Sequence, residues 1–176
     1  SGNSITEEKV VRRELNFSEG DSITAYKIKT SIDNLKATGI FKNIEIKSKN
    51  VSNELVDIDI VAEEQPTGSV SAGISIGNSG SAIGTQLKEK NLFGSGIIAD
   101  VNASFGTEKI SGRVSYSIPD FNNSGNYLRN SFYALSTDYE NAGYESKVIG
   151  FSASTEYDIY EDIAFNTGIN IDVDDI

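Results

Sequence analysis

The sequence predicts an α+β domain followed by the antiparallel strands of a membrane-spanning β-barrel. The rhythm of the sequence changes at Gln65-Pro66-Thr67-Gly68, where helical spacing and short strands give way to alternating apolar and small polar residues. The alternating part is poor in Leu and has no Trp or Met, so it lacks the side chains of a large buried core. Its runs have the roughly 9 to 11 residues that a tilted strand needs to cross a bilayer. These observations divide the chain into residues 1–66 and 67–176.

Composition excludes most enzyme classes. The chain has 176 residues, a net charge of -11, and no Cys, Met, His or Trp. Disulfide frameworks, thiolate or imidazole metal sites, and Cys or His catalysis are therefore not expected from this chain. The acidic balance argues against a nucleic-acid partner, because phosphates bind basic surfaces. We expect no enzymatic activity, no cofactor and no metal.

Two helices are predicted in the first part. Thr6 is positioned to cap a helix that runs through Leu15, with two acidic residues in its first turn. Asp21 or Ser22 is positioned to cap a second helix, and Gly39 supplies its left-handed end. The apolar residues of this second helix follow a 3,4,3 spacing and are Ala25, Ile28, Ile32 and Leu35.

Two short strands follow the helices. Residues 41–47 should bury Ile44 and Ile46, and residues 55–61 should bury Val56, Ile58 and Ile60, with a hairpin loop at residues 50–53. A further strand is expected before Ser1. The predicted order is therefore β-α-α-β-β, with the two helices on one face of a small sheet.

The alternation of apolar and polar residues in residues 67–176 predicts about seven strands, each with one apolar and one polar face. The apolar faces are Val70, Ala72, Ile74 and Ile76; Ile83, Thr85 and Leu87; Ile97, Ala99, Val101, Ala103 and Phe105; Val114, Tyr116 and Ile118; Ile149, Phe151, Ala153, Thr155 and Tyr157; and Ile163, Phe165, Thr167, Ile169, Ile171 and Val173. The faces of the strand at residues 127–138 cannot be assigned, because Phe132-Tyr133-Ala134-Leu135 interrupts the alternation.

The turns support a membrane barrel over a soluble β-sandwich, the alternative that alternation also allows. Every second turn, at residues 91–94, 119–121 and 157–160, has large apolar or aromatic residues, as an interfacial girdle does. The turns at residues 78–80, 107–109 and 140–146 are polar. Short hairpins throughout leave no connection that could switch sheets. Bacterial single-chain barrels have an even number of strands, and seven is odd. The sequence therefore predicts an incomplete barrel that belongs to a longer parent protein.

Five motifs resemble the BamA family of outer-membrane assembly factors, in the family's order and spacing. They are Val10-Val11-Arg12-Arg13-Glu14-Leu15, Glu19-Gly20-Asp21, Leu35-Lys36-Ala37-Thr38-Gly39-Ile40-Phe41, Glu63-Glu64-Gln65-Pro66-Thr67-Gly68 and Asn91-Leu92-Phe93-Gly94-Ser95-Gly96. The resemblance implies a last polypeptide-transport-associated (POTRA) domain at residues 1–66, in the periplasm. It also implies that residues 67–176 are the first strands of an outer-membrane barrel. Two-partner-secretion and autotransporter-assembly pores share this architecture and are the alternative.

The resemblance also implies a function without a cofactor: folding and inserting outer-membrane proteins. The partners would be unfolded outer-membrane proteins, accessory lipoproteins and outer-membrane lipid. In this family the first barrel strand meets the last at a lateral seam, which carries over to Gly68, Ser69, Val70, Ser71, Ala72, Gly73, Ile74, Ser75 and Ile76. Their small side chains should let the strand open easily. The alternative is that they only fill a crowded interior.

Two further surfaces are expected in the POTRA domain. One is an edge strand that could add an extended client segment, formed by Phe41, Lys42, Asn43, Ile44, Glu45, Ile46 and Lys47. An ordinary charged edge that discourages aggregation explains the same residues. The other is an accessory-partner surface at Arg12, Arg13 and Glu19, for which a solvated turn is the alternative.

Overall fold

A computed structural model describes residues 2–52, 56–77, 80–139, 142–160 and 163–176. They form two compact units: Ser1–Thr67 with Lys90–Gly96, and Gly68–Glu89 with Ile97–Ile176. Several residues of the predicted strands and turns lie outside the described residues, namely Asn53, Leu55, Asn78, Ser79, Glu140 and Asn141, as does the side chain of Tyr160.

The first unit contains two helices, α1 (Glu8–Arg13) and α2 (Ala25–Ala37). The prediction that Thr6 caps α1 is wrong: the N-cap residue is Glu7, which makes no side-chain capping bond, and Thr6 is buried. The predicted cap of α2 is also wrong, because the Thr24 side chain accepts the Lys27 N–H at 3.2 Å. The predicted left-handed end at Gly39 is confirmed by its φ of 68°.

The helices cover a two-stranded antiparallel sheet of β1 (Phe41–Asn50) and β2 (Val56–Glu64). The core between the layers consists of Val10, Val11, Leu35, Ile40, Phe41 and Ala62. Ile44 and Ile60 pack partly buried against this core. Val56 is 42% exposed, so its predicted burial is wrong. No strand precedes α1 among the described residues; the strand expected before Ser1 would lead into Gly2, which lies against the Ala62 carbonyl of β2.

The second unit is a seven-stranded sheet in which every strand neighbours the next along the chain. Its strands are β3 (Gly68–Gly77), β4 (Gly80–Leu92), β5 (Ile97–Gly106), β6 (Lys109–Ile118), β7 (Tyr127–Tyr139), β8 (Tyr144–Tyr160) and β9 (Ile163–Asp175). This confirms the predicted succession of antiparallel strands. The sheet does not close on itself within the described residues, because β3 and β9 are its two edges.

Pairing registers show that the apolar positions share one face of this sheet. Val70 pairs with Leu87, and Val114 pairs with both Val101 and Phe132. Phe132 therefore lies on the apolar face, which settles the orientation of β7 that the sequence left open. These side chains are uncovered: Ile74 is 74% exposed, and no second layer of described residues packs on them. No helix among the described residues is both long enough and apolar enough to cross a bilayer.

Candidate functional site

The predicted seam strand, β3, is held to the sheet along one edge. All ten of its residues are exposed. Its register with β4 is regular from Gly68 opposite Glu89 to Gly77 opposite Gly80. Its other edge has no partner strand among the described residues, so that row of amide and carbonyl groups can accept a further strand.

Side chains contribute little to the attachment of β3. Gly73 lies directly opposite Gly84, and added Cβ atoms at Gly73 and Gly77 would meet no described atom within 4 Å. The β3 side chains make no hydrogen bond among the described residues. Strand β3 is bound chiefly by its backbone ladder with β4.

The predicted accessory-partner surface is only partly assembled. The Arg12 guanidinium contacts Glu8 at 2.6 Å and Glu19 at 3.2 Å. Hydrogen bonds with Glu8 and then Glu19 raise the pKa of Arg12. The side chain of Arg13 is only 15% exposed and pairs with Glu14 at 2.9 Å, so it does not join Arg12 and Glu19. The structure therefore brings together two of the three predicted residues.

Arg12 and Glu19 lie on the wall of a groove of about 1080 Å³ beside β2. Apolar residues of the wall include Leu15, Phe17 and Ile58.

The predicted edge strand, β1, is paired with β2 on one side and has no neighbour on the other among the described residues. Its exposed charges are partly satisfied within the domain: Lys42 lies 3.8 Å from Glu63, and Lys47 lies 3.2 Å from Glu45. The pairing shifts register between Phe41 and Asn43. Both the client-binding and the protective explanations of this edge are compatible with such a strand.

Glu64 has a structural role that sequence reasoning missed. Its carboxylate accepts the backbone N–H groups of Ser4 at 3.1 Å, Ile5 at 3.1 Å and Thr6 at 2.6 Å, and the Ser4 hydroxyl at 2.9 Å. Partial burial would raise the pKa of Glu64, but the hydrogen bonds from Thr6, Ser4 and Ile5 outweigh it and lower the pKa to about 2. Glu64 thus fixes the segment before α1 to the end of β2. The acid itself was visible in the motif before Pro66, but its partners lie almost sixty residues away.

Asn91 organises the turn between β4 and β5, which belongs to the first unit. Its side-chain amide donates to the Thr6 hydroxyl at 2.9 Å, and its side-chain carbonyl accepts the Gly96 N–H at 2.8 Å. The Gly94 carbonyl accepts the Glu7 N–H at 2.8 Å. Gly94 has a φ of 76°, and a Cβ there would collide with the Ile5 carbonyl. Gly94 is therefore required by close backbone approach.

Phe93 stands out on this turn. It is 89% exposed and has a φ of 54°, which is unfavourable for a bulky residue. Phe121, in the turn between β6 and β7, is 45% exposed. Ile159 is 55% exposed, but it lies in β8, so the prediction of a turn at residues 157–160 is wrong. The polar face of the second unit lines a concave cavity of about 720 Å³. No group of three or more Asp or Glu that could hold a metal occurs in the described ranges.

Comparison with known families and sequences gives consistent matches. A family profile described as "POTRA: Surface antigen variable number repeat" matches residues 1–65. The outer membrane protein assembly factor BamA of Nitratidesulfovibrio vulgaris is 29% identical over 145 residues, covering 78% of this chain and 18% of that protein. BamA of Neorickettsia risticii is 25% identical over 181 residues, covering 100% of this chain and 24% of that protein. The chain thus spans about a fifth of the length of these relatives.

A solved structure has the same fold. The crystal structure of BamA from Haemophilus ducreyi lacking POTRA domains 1–3 superposes with a TM-score of 0.87 at 25% identity. The match covers 99% of this chain and 34% of that chain. The similarity therefore extends over both units.

Proposed function

This chain is of the BamA type, with a POTRA domain followed by N-terminal barrel strands, and on this premise we propose that its parent protein folds and inserts β-barrel proteins in the bacterial outer membrane. The clients are unfolded outer-membrane proteins, and accessory lipoproteins and membrane lipid are the other partners. The process is not enzymatic and uses no cofactor. The POTRA domain lies in the periplasm and the strands lie in the outer membrane.

The weak attachment of β3 is the observation that carries this proposal. An incoming client strand adds to the free edge of β3 through backbone hydrogen bonds, as in other cases of strand addition. Because β3 has small side chains and no side-chain hydrogen bonds among the described residues, displacing its other neighbour costs little packing energy. The apolar face stays in lipid while the strand exchanges.

Cysteine crosslinking tests the seam. These 176 residues have no native Cys, so in a full-length protein cleared of any other Cys a single Cys at Ser71 of β3 reports only on that position. We expect Ser71→Cys to form a disulfide with a stalled client that has a Cys in its terminal strand. The matched control is Ser104→Cys on β5, which is paired on both edges and should stay at background. Equal crosslinking at both positions would contradict the proposal.

Crosslinking to the same stalled client tests whether the edge strand of the POTRA domain binds clients. We propose that β1 holds extended client segments before they reach β3, since its outer edge has no neighbour among the described residues. A Cys at the exposed residue Ser48 of β1 should then trap the client early, and one at the exposed residue Lys29 of α2 should not. Trapping at both sites, or at neither, would favour the protective explanation of the charged edge.

Charge reversal tests the accessory-partner surface. We propose that the partner binds at Glu19, whose side chain is 89% exposed although it pairs with Arg12. Glu19→Lys should weaken co-purification of the accessory lipoprotein about tenfold, because it puts a like charge beside Arg12 and removes an acceptor from the interface. Asp33→Lys, an equal charge change at an exposed position of α2, should leave co-purification unchanged. Retention of the lipoprotein by Glu19→Lys would exclude this surface.

A further inference from the structure

Five residues form a row across four neighbouring strands on the polar face of the second unit. They are Arg113 on β6, Tyr133 on β7, Gly150 on β8, and Asn170 and Asp172 on β9. We call this row the tyrosine clamp. Tyr133, at its centre, lies in the stretch of β7 whose faces cannot be assigned from the sequence.

The first contact joins β6 to β7. Arg113 and Tyr133 are direct register partners, and the guanidinium carbon lies 4.7 Å from the centre of the tyrosine ring. This distance is typical of a cation–π contact. Arg113 also donates to the Ser131 hydroxyl at 3.4 Å, and Ser131 is hydrogen-bonded to Ser152 of β8 at 2.7 Å. Side chains thus connect β6, β7 and β8.

The second contact passes over β8 and reaches β9. Tyr133 is the register partner of Gly150, and a Cβ at Gly150 would collide with the Cζ and hydroxyl of Tyr133 and with Asp172. The ring therefore lies across the bare backbone of Gly150. Its hydroxyl donates to the Asp172 carboxylate and lies 3.0 Å from Asn170 Oδ1. Asn170 donates in turn to Asp172 at 2.6 Å. One side chain on β7 is thereby tied to a strand that it does not pair with.

Strand β3 lacks such a tie, because its side chains make no hydrogen bond among the described residues, whereas Gln86 of β4 donates to Asp100 of β5 at 2.7 Å. We propose that the tyrosine clamp braces β6 to β9 into one panel and thereby confines strand opening to the β3 side. The bracing is a property of the second unit alone; the opening at β3 rests on the proposed function.

Hydrogen exchange of the full-length protein in lipid vesicles tests the bracing. Tyr133→Phe removes one oxygen and both of its contacts on β9, so amide exchange of β7 to β9 should become about tenfold faster. The control is Tyr116→Phe on the apolar face of β6, whose hydroxyl has no hydrogen bond among the described residues. Equal exchange in the two variants would overturn the clamp.

A second variant and a second region complete the test. Gly150→Ala should displace the ring, and its effect should overlap with that of Tyr133→Phe, so the double variant should exchange no faster than Gly150→Ala alone. Additive effects would overturn the clamp. If Gly150→Ala does not fold, the Tyr133→Phe result alone tests the bracing.

Confinement of strand opening to the β3 side predicts a difference within the unaltered protein. Its β3 amides should exchange at least about tenfold faster than those of β8, and equal protection of the two strands would overturn the confinement. Failure of the Ser71 crosslink, by contrast, would reject the assembly mechanism and leave the bracing intact.

Discussion

Ile74→Asp should prevent the full-length protein from accumulating in the membrane, while Ser75→Asp should be tolerated. Ile74 is 74% exposed on the apolar face of β3, where lipid is its expected environment. Replacing it removes a favourable contact with lipid and puts a carboxylate there, at a combined cost of about 2–4 kcal/mol. Ser75 is the next residue along the strand and therefore lies on the opposite, polar face, where a carboxylate meets water. The membrane level of the folded protein, measured by heat-modifiable migration in gels, checks both variants.

This pair of variants also distinguishes the membrane barrel from a soluble sandwich. The two residues are adjacent on one strand, so strand propensity and distance from the turns are matched. If the apolar face were covered by protein instead of lipid, the purified protein would be soluble without detergent. Similar membrane levels for both variants would contradict the assignment of the faces.

Glu64→Gln should lower the free energy of unfolding of the POTRA domain by about 2 kcal/mol. The carboxylate accepts hydrogen bonds from three consecutive backbone N–H groups, and an amide would present its NH₂ group to some of these donors. The figure is smaller than the full pKa shift would imply, because Glu64 keeps some contact with solvent. Urea unfolding, followed by a dye on a Cys introduced at the exposed Lys29, measures the change in the full-length protein. Glu63→Gln, the exposed neighbour, should change stability by less than about 0.5 kcal/mol.

The same carboxylate predicts the acid sensitivity of the domain. The pKa of Glu64 is about 2 in the folded state against 4.5 as the ordinary value. Because the folded pKa is the lower one, the stabilisation is complete above pH 4.5 and is lost as pH falls from 4.5 towards 2. The difference in stability between the unaltered protein and Glu64→Gln should therefore shrink over that interval. A difference that stays constant would show that the Glu64 charge does not stabilise the fold.

Patterns local to one strand or helix were predictable, and contacts between distant residues were not. Alternation gave the number of strands and the face of Val70, Ile74 and Val114, because side-chain direction in a strand depends only on position. The predictions of Asp21 and Thr6 as helix caps were wrong because each side chain accepts a different hydrogen bond. Asp21 suits an N-cap chemically, but its carboxylate accepts the Ser18 N–H within its own turn at 3.0 Å. Thr6 suits one equally, yet its hydroxyl accepts from Asn91.

Among the candidate functional residues, too, local patterns were predictable and contacts between elements were not. The composition of β3 predicts weak side-chain packing, because that property depends on the residues of one strand. Arg12 and Arg13 are adjacent in sequence, but successive helix residues point about 100° apart, so only Arg12 reaches Glu19. The tyrosine clamp needed registers across three strand pairs, which no single sequence provides.

The hydrogen bond between Thr6 and Asn91 imposes an order on the way the chain acquires its structure. The two residues are 85 positions apart, so the contact closes a long loop and cannot guide early events. The Glu7 N–H donates to the Gly94 carbonyl of the same turn, so the segment before α1 and this turn supply each other's hydrogen-bond partners. The first unit is therefore complete only once residues 90–96 have come back against the segment before α1.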